Sequence, residues 1–198
     1  MYSININLII IGITVLVSIV GFGQKKVFQN LSFHIGYIMY RRQWYRMFTY
    51  ALLHGGWGHL FINMWVLWVF GTNVEQQLEY HCHWGNISDW IYLLFYIVSI
   101  GFSTLYDLYK HKDNPDYVAI GASGAVSAVV FASIVFNPMD KMIIFPIQIP
   151  MPGFVFGILY LAYSVYMSRK NVDNIGHATH FWGGVFGAAF ALIIRLLN

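Results

Sequence analysis

Long stretches without charged residues alternate with short charged segments along the whole chain. Six stretches contain no Asp, Glu, Lys or Arg, and they cover residues 1–24, 47–74, 90–106, 117–139, 142–168 and 174–194. A helix that crosses a bilayer needs about 20 mainly apolar residues. Five stretches reach this length easily, and the third can do so with Asp89 or Asp107 near an interface. The pattern predicts an all-α membrane protein, a compact bundle of six transmembrane helices forming a single domain over residues 1–198.

The connection between the first two stretches is the longest, and it is rich in basic and aromatic residues. Residues 23–46 contain five of the eleven basic side chains, namely Lys25, Lys26, Arg41, Arg42 and Arg46. A connection of this length and composition is expected to fold on or into the membrane interface. The segment before it lacks a basic leader and a small-residue cleavage pattern, so it is interpreted as a retained first helix.

The overall composition agrees with a membrane protein. Hydrophobic residues make up 58% of the chain and charged residues 10%, against about 25% charged in soluble domains. This balance excludes a disordered chain and a nucleic-acid-binding module that acts through a basic patch. The expected surroundings are a lipid bilayer, and no nucleic-acid partner is expected. The single cysteine, Cys82, excludes an intrachain disulfide and a multi-thiolate metal site.

The first group of polar residues within the predicted helices is HGGWGHLFIN, residues 54–63. His59 and Asn63 are four residues apart and therefore share a helix face, whereas His54 lies in a glycine-rich segment before that helix. The alternative interpretation is a pair of interfacial histidines with an asparagine that bonds a neighbouring helix.

Two further groups open the fourth and sixth predicted helices. In GASGA, Ser123 lies between Gly121 and Gly124, which allow another backbone or a substrate to approach closely. In GHATHFWGGVFG, residues 176–187, two histidines precede a G-x-x-x-G pair, Gly183 and Gly187. Each group alone is equally compatible with a small-residue packing face beside an interfacial side chain.

The three groups gain meaning from their shared position. Each begins a helix that follows an odd-numbered loop, so all three are predicted on the same side of the membrane. A serine, a histidine and additional hydrogen-bond donors are the components of nucleophilic acyl transfer: nucleophile, general base and oxyanion donors.

Taken together, these motifs resemble those of the rhomboid family of intramembrane serine proteases. The matching positions are His54, His59, Asn63, Gly121, Ser123, Gly124, His180, Gly183 and Gly187. The resemblance implies a Ser123–His180 dyad without an acidic third member, acting on transmembrane protein substrates near the membrane interface. It further implies no cofactor and no metal.

The resemblance also implies roles for the neighbouring residues. The main-chain N–H of Ser123 and the side chains of His59 and Asn63 would hold the oxyanion, with His54 in support. Gly121 and Gly124 would give the oxyanion and substrate room near the main chain.

Some features depart from the family pattern or leave a choice open. Ser127 stands where family members often have a tyrosine stacked on the catalytic histidine, so the orientation of His180 would come from Trp182, from a helix-two aromatic or from neither. His177 is the alternative general base. Glu75 resembles the family's buried structural acid, and Tyr45 precedes Arg46 where a tryptophan is usual.

Two alternative functions remain at this stage. One is a catalytically inactive rhomboid-like protein that binds transmembrane helices. The other is a small transporter or metal-handling protein that uses histidine pairs, for which the sequence His81–Cys82–His83 is the only further candidate.

The orientation in the membrane is predicted in opposite ways by two signals. The resemblance implies a prokaryotic plasma membrane, a cytoplasmic N-terminus and a site open to the extracytoplasmic side. Nine of the eleven basic residues lie in loops one, three and five, which would place those loops in the cytoplasm. We adopt the orientation that the resemblance implies.

Overall fold

The computed structural model describes residues 5–82, 87–143, 150–170 and 176–197. Within these residues the chain is almost entirely helical. In chain order the helices are α1 (Ile6–Gly23), α2 (Lys25–Leu31), α3 (Ile35–Arg41), α4 (Arg46–Thr49), α5 (Trp57–His81), α6 (Ile87–Lys110), α7 (Ser123–Phe136), α8 (Gly153–Lys170) and α9 (His177–Leu196), with a 3-10 turn at Tyr50–Leu52.

Each of the six charge-free stretches overlaps one of the longer helices, and α5, α6, α8 and α9 continue past their stretches into charged residues. In the described part of the chain, α1, α6 and α9 are long and apolar enough to cross a membrane. Helix α7 is apolar but has only 14 residues. Helices α5 and α8 are long enough, but α5 ends in a polar turn that contains Glu75 and Glu79, and α8 contains several tyrosines and serines. The structure is therefore that of an all-α membrane protein, and length with composition marks three of the six helices as spans.

Helix α7 is the most enclosed element of the bundle. Twelve of its 14 residues are buried, whereas α8 buries only Gly153, Gly157 and Ser164. Helices α5, α6 and α9 surround α7 and carry many exposed apolar side chains, including Phe61 and Ile62. Such exposure would be unfavourable in water and suits a surface that faces lipid.

The connection between α1 and α5 is folded, and it pairs with the segment that leads to α7. Strand β1 (Phe33–His34) pairs antiparallel with β2 (Val118–Ala119). A second pair joins β3 (Lys141–Met142) to β4 (Met151–Pro152). These two-residue strands are too short to produce a periodic pattern, so an all-α interpretation of the sequence does not include them.

A buried arginine holds this connection together. Arg46 is only 3% exposed. Its guanidinium donates hydrogen bonds to the carbonyl oxygens of Gln29 and Ser32, at 2.7 and 2.9 Å, and to the side-chain oxygen of Gln43 at 2.7 Å. The charge also lies 4.6 Å from the centre of the Tyr37 ring. This basic residue therefore has a structural role within the connection.

Candidate active site

Ser123 is the first residue of α7, the helix at the centre of the bundle. The main-chain N–H groups of the first helical turn have no carbonyl partner within their own helix. The amide of Ser123 is thus available to an external acceptor, and the helix dipole favours negative charge at this end. The sequence places the candidate nucleophile where a developing oxyanion would be stabilised.

Gly121 shapes the approach to Ser123. Its φ of +116° lies in the region that favours glycine, and its N–H donates to the carbonyl of Tyr50 at 3.1 Å. A Cβ at this position would lie 2.8 Å from Cε1 of His59. Gly121 is therefore required by its backbone conformation and by the close approach of the His59 ring.

His180 lies in the first turn of α9, and the structure brings it to Ser123. The distance between His180 Nε2 and Ser123 Oγ is 2.7 Å, although the residues are 57 positions apart in the chain. This is hydrogen-bond distance for a hydroxyl that donates to an unprotonated imidazole nitrogen. The pair has the geometry required of a nucleophile and its general base.

Backbone contact between α7 and α9 sets the position of the pair. A Cβ added at Gly183 would collide with the main chain of Gly124, and one added at Gly187 would collide with the main chain of Ala128. Two glycines one turn apart thus let the helices touch along their backbones. His180 is three residues before Gly183, so this contact fixes its height relative to Ser123.

Gly124 has different neighbours from those expected. A Cβ there would meet Ser103 Oγ at 2.5 Å and Thr179 Cγ2 at 2.7 Å. The room at Gly124 is thus occupied by side chains of α6 and α9. In this structure Gly124 serves helix packing beside the nucleophile, rather than providing space for a substrate.

An acidic residue anchors the start of α9. Asp107, on α6, is 4% exposed and accepts a hydrogen bond from the hydroxyl of Thr179, the residue before His180. Tyr117 donates a longer bond to the same carboxylate oxygen, at 3.4 Å. His111 stacks on the Tyr117 ring with centroids 3.8 Å apart. Burial lowers the pKa of the His111 imidazole, and the nearby Asp107 carboxylate partly opposes this shift. Asp107 therefore ties together α6, α9 and the segment before α7.

His59 is oriented to act as a donor. Its Nδ1 accepts a hydrogen bond from the N–H of Gly55 at 3.4 Å. Because a neutral imidazole carries one proton, this contact leaves the proton on Nε2. That nitrogen would lie 3.1 Å from a Cβ at Gly121, which places it beside the main chain that leads into Ser123.

His54 lies behind His59, away from the dyad. It is 1% exposed, and its ring meets that of His59 edge-on with centroids 4.9 Å apart. The hydroxyl of Ser18 donates to the carbonyl of Leu52 at 2.7 Å, so it accepts from Nδ1–H of His54 at 3.0 Å. His54 therefore buttresses His59 and connects it to α1.

Asn63 is 6% exposed, and its side-chain amide donates to the carbonyl of His59, one turn earlier, at 2.9 Å. An amide nitrogen carries two hydrogens, so the second remains for another acceptor. The structure thus places Asn63 on the helix face of His59 with one donor already committed.

His177 packs edge-on against the Tyr163 ring at 5.6 Å and against the His180 ring at 6.1 Å. Trp182 lies near Tyr106 with ring centroids 6.4 Å apart. Glu75 is partly buried and accepts a hydrogen bond from the N–H of Asn7 at 2.8 Å. This contact joins α5 to α1.

The candidate metal-binding sequence begins with His81 at the C-terminal end of α5. His81 stacks on Phe136 with centroids 5.5 Å apart, and Cys82 is buried. His83 lies outside the described residues.

The sequence did not suggest Tyr160 of α8 as a site residue. Its ring stacks on His180 with centroids 6.5 Å apart and an angle of 23° between the planes. Its hydroxyl lies 3.1 Å from Ser127 Oγ. Helix α8 is apolar and contains other tyrosines, so nothing in the sequence distinguishes Tyr160 as the residue that faces His180.

Comparison with known proteins identifies a matching family model and two relatives. The model described as Rhomboid domain matches residues 41–196. The chain is 31% identical over 91 residues to Rhomboid-like protein 11, chloroplastic, of Arabidopsis thaliana, an alignment that covers 46% of the chain and 29% of that protein. It is 29% identical over 147 residues to Rhomboid protease GluP of Bacillus subtilis (strain 168), covering 74% of the chain and 26% of that protein. The matched segment thus spans less than a third of either relative.

Proposed function

The chain belongs to the rhomboid family, and we propose that it is an intramembrane serine endopeptidase that cleaves transmembrane proteins near the membrane interface. The observation that carries this proposal is the 2.7 Å contact between Ser123 Oγ and His180 Nε2. One of its relatives bears the name rhomboid protease.

The reaction follows from the chemistry of this pair. Ser123 Oγ attacks the carbonyl carbon of the scissile peptide bond while His180 Nε2 takes the hydroxyl proton. The tetrahedral intermediate then breaks its C–N bond, and His180 gives the proton to the leaving amine. An acyl ester remains on Ser123. A water molecule attacks the ester, loses its proton to His180 and releases the carboxylic acid, and the proton returns to Ser123.

The oxyanion is stabilised by donors on the opposite side from His180. The main-chain N–H of Ser123 and Nε2–H of His59 are the two that the hydrogen-bond pattern leaves available, and Asn63 supplies a third through its second amide hydrogen. Removal of one such donor typically lowers kcat by about 10²–10³-fold. His54 keeps the His59 ring upright, and Gly121 allows that ring to approach the main chain.

The same proposal includes the arrangement in the membrane. All six long helices act as spans within one domain over residues 1–198, with α5, α7 and α8 crossing despite their length or polarity because they pack within the bundle. The protein resides in a prokaryotic plasma membrane, with the site open to the extracytoplasmic side. Burial of Arg46 removes one of the nine basic residues from the opposing charge bias, since a structural arginine does not report topology as a free loop charge does.

The test is cleavage of a model transmembrane substrate in detergent by the wild type and by Ser123→Ala and His180→Ala. Both variants should lose cleavage while remaining folded. Ser133→Ala is the matched control, because Ser133 lies ten residues further along α7 and bonds the side chain of Asn73 at 2.9 Å. It should retain activity.

Cleavage that survives in Ser123→Ala would remove Ser123 from the mechanism. A folded wild type that neither cleaves nor reacts with a fluorophosphonate would instead support an inactive member that binds transmembrane helices.

A further inference from the structure

We propose that Tyr160 is a positioning residue for His180, held in place by the hydroxyl of Ser127. This inference rests on the proposed function, because the orientation of His180 matters only if it serves as the general base. The mechanism uses the hydrogen bond between the imidazole and Ser123, and the ring also meets that of His177 edge-on with centroids 6.1 Å apart.

The Tyr160 ring lies beside the His180 imidazole. The rings of Tyr160 and His180 are nearly parallel, at 23°, with centroids 6.5 Å apart. This separation lies within the range of offset aromatic pairs. A ring packed beside the imidazole limits rotation of the imidazole plane.

The Tyr160 ring is itself held in place by its neighbours. It packs against Phe131 on α7, with centroids 5.7 Å apart, and against Phe156 on its own helix at 5.6 Å. Its hydroxyl meets Ser127 Oγ at 3.1 Å. The ring is thus held at its edge by packing and at its tip by a hydrogen bond.

Ser127, which anchors the Tyr160 hydroxyl, lies on the same helix as Ser123. Ser127 is four residues after Ser123 on α7, so both hydroxyls lie on one face of that helix. Ser127 is 6% exposed. One helix therefore presents the nucleophile and also holds the ring that orients its base. The loosely packed α8 is coupled to the dyad through this contact.

The experiment compares Tyr160→Leu, Tyr160→Phe and Ser127→Ala in the cleavage assay, with Tyr166→Leu as the matched control. Tyr166 lies six residues further along α8, is 55% exposed and has the Lys170 ammonium 4.6 Å from its ring centre. Tyr160→Leu should lower kcat by about 2- to 13-fold with KM unchanged. Tyr160→Phe keeps the stack and should restore much of that loss.

A double-mutant cycle tests the anchor. If the Ser127 hydroxyl acts only through Tyr160, then Ser127→Ala should have no additional effect in the Tyr160→Phe protein. Fully additive effects would show that Ser127 acts elsewhere and would overturn this part of the proposal.

A spectroscopic measurement separates this proposal from the proposed function. In protein with isotope-labelled histidine, the ring-current shift of the His180 imidazole signal, assigned with His180→Asn, should change in Tyr160→Leu and not in Tyr166→Leu. This result does not require catalysis, so it decides the matter even if the wild type proves inactive. Equal signals and equal kcat in the two leucine variants would overturn the proposal.

Discussion

The two sides of the candidate site are built in different ways. On the dyad side, Ser123 and His180 lie on two long helices whose backbones touch at Gly183 and Gly187. On the oxyanion side, His54 lies just before α5 and His59 in its first turn. A long-range hydrogen bond to Ser18 holds His54, and a local one from Gly55 holds His59. The helix contact on the dyad side requires glycines, which have no side chain, whereas polar side chains hold the oxyanion side together.

The two sides of the site should therefore respond differently to substitution. A backbone contact has no flexible atom that could move aside, so an added methyl group must separate the helices. On the oxyanion side, a substitution removes one hydrogen bond and leaves the others in place. A single substitution at the helix contact should therefore cause a large loss of stability and activity, whereas a single substitution on the oxyanion side should cause a smaller one.

The largest expected effect comes from adding one methyl group to the helix contact. Gly183→Ala should destabilise the protein by about 3 kcal/mol, because the added Cβ meets the main chain of Gly124. Thermal unfolding in detergent measures this, together with loss of substrate cleavage. Gly12→Ala is the control, since a Cβ there meets nothing within 4 Å. Equal midpoints for the two variants would contradict a rigid contact.

An intermediate effect is expected from the buried arginine on the oxyanion side. Arg46→Ala removes donors to the carbonyls of Gln29 and Ser32, and should cost about 2–3 kcal/mol. Lys26→Ala, which changes an exposed cation of the same connection, should leave the unfolding midpoint unchanged. If both variants unfold alike, the connection is not held by Arg46.

The smallest effect should come from a matched pair on α1. Ser18→Ala removes the link between Leu52 and His54, and should cost about 1 kcal/mol with a few-fold loss of kcat. Thr14 lies one turn earlier, and its buried hydroxyl has no hydrogen-bond partner within the described residues. Thr14→Val should therefore be neutral or stabilising. A larger loss in Thr14→Val than in Ser18→Ala would contradict this account.

Ser123 and His180 were proposed as a dyad because the motifs around them resemble those of the rhomboid family, and the structure places the two side chains at hydrogen-bond distance. The charge pattern predicts Asp89 or Asp107 near an interface, and Asp107 lies in the last turn of α6. Its burial against Thr179 was not predicted, since a local charge pattern does not show which helix will cover a side chain. Tyr160 was missed because an aromatic residue in an apolar helix has the same pattern whether it faces lipid or a histidine.

The oxyanion side depends on contacts between distant segments. The pairing of β1 with β2 joins residues 33–34 to residues 118–119, and no local pattern encodes it. The donor state of His59 follows from the N–H of Gly55, a main-chain group that the sequence leaves unspecified. Positions on helices were thus predictable, whereas hydrogen-bond partners across the bundle required the structure.

The central claim is that His180 activates Ser123, and the rate of fluorophosphonate labelling tests it most directly. Mass spectrometry of the labelled, folded protein should locate the adduct on Ser123 in the wild type. Labelling should be lost in His180→Ala and retained in His177→Ala. A folded wild type without an adduct on Ser123, or labelling that depends on His177 and not on His180, would contradict the account.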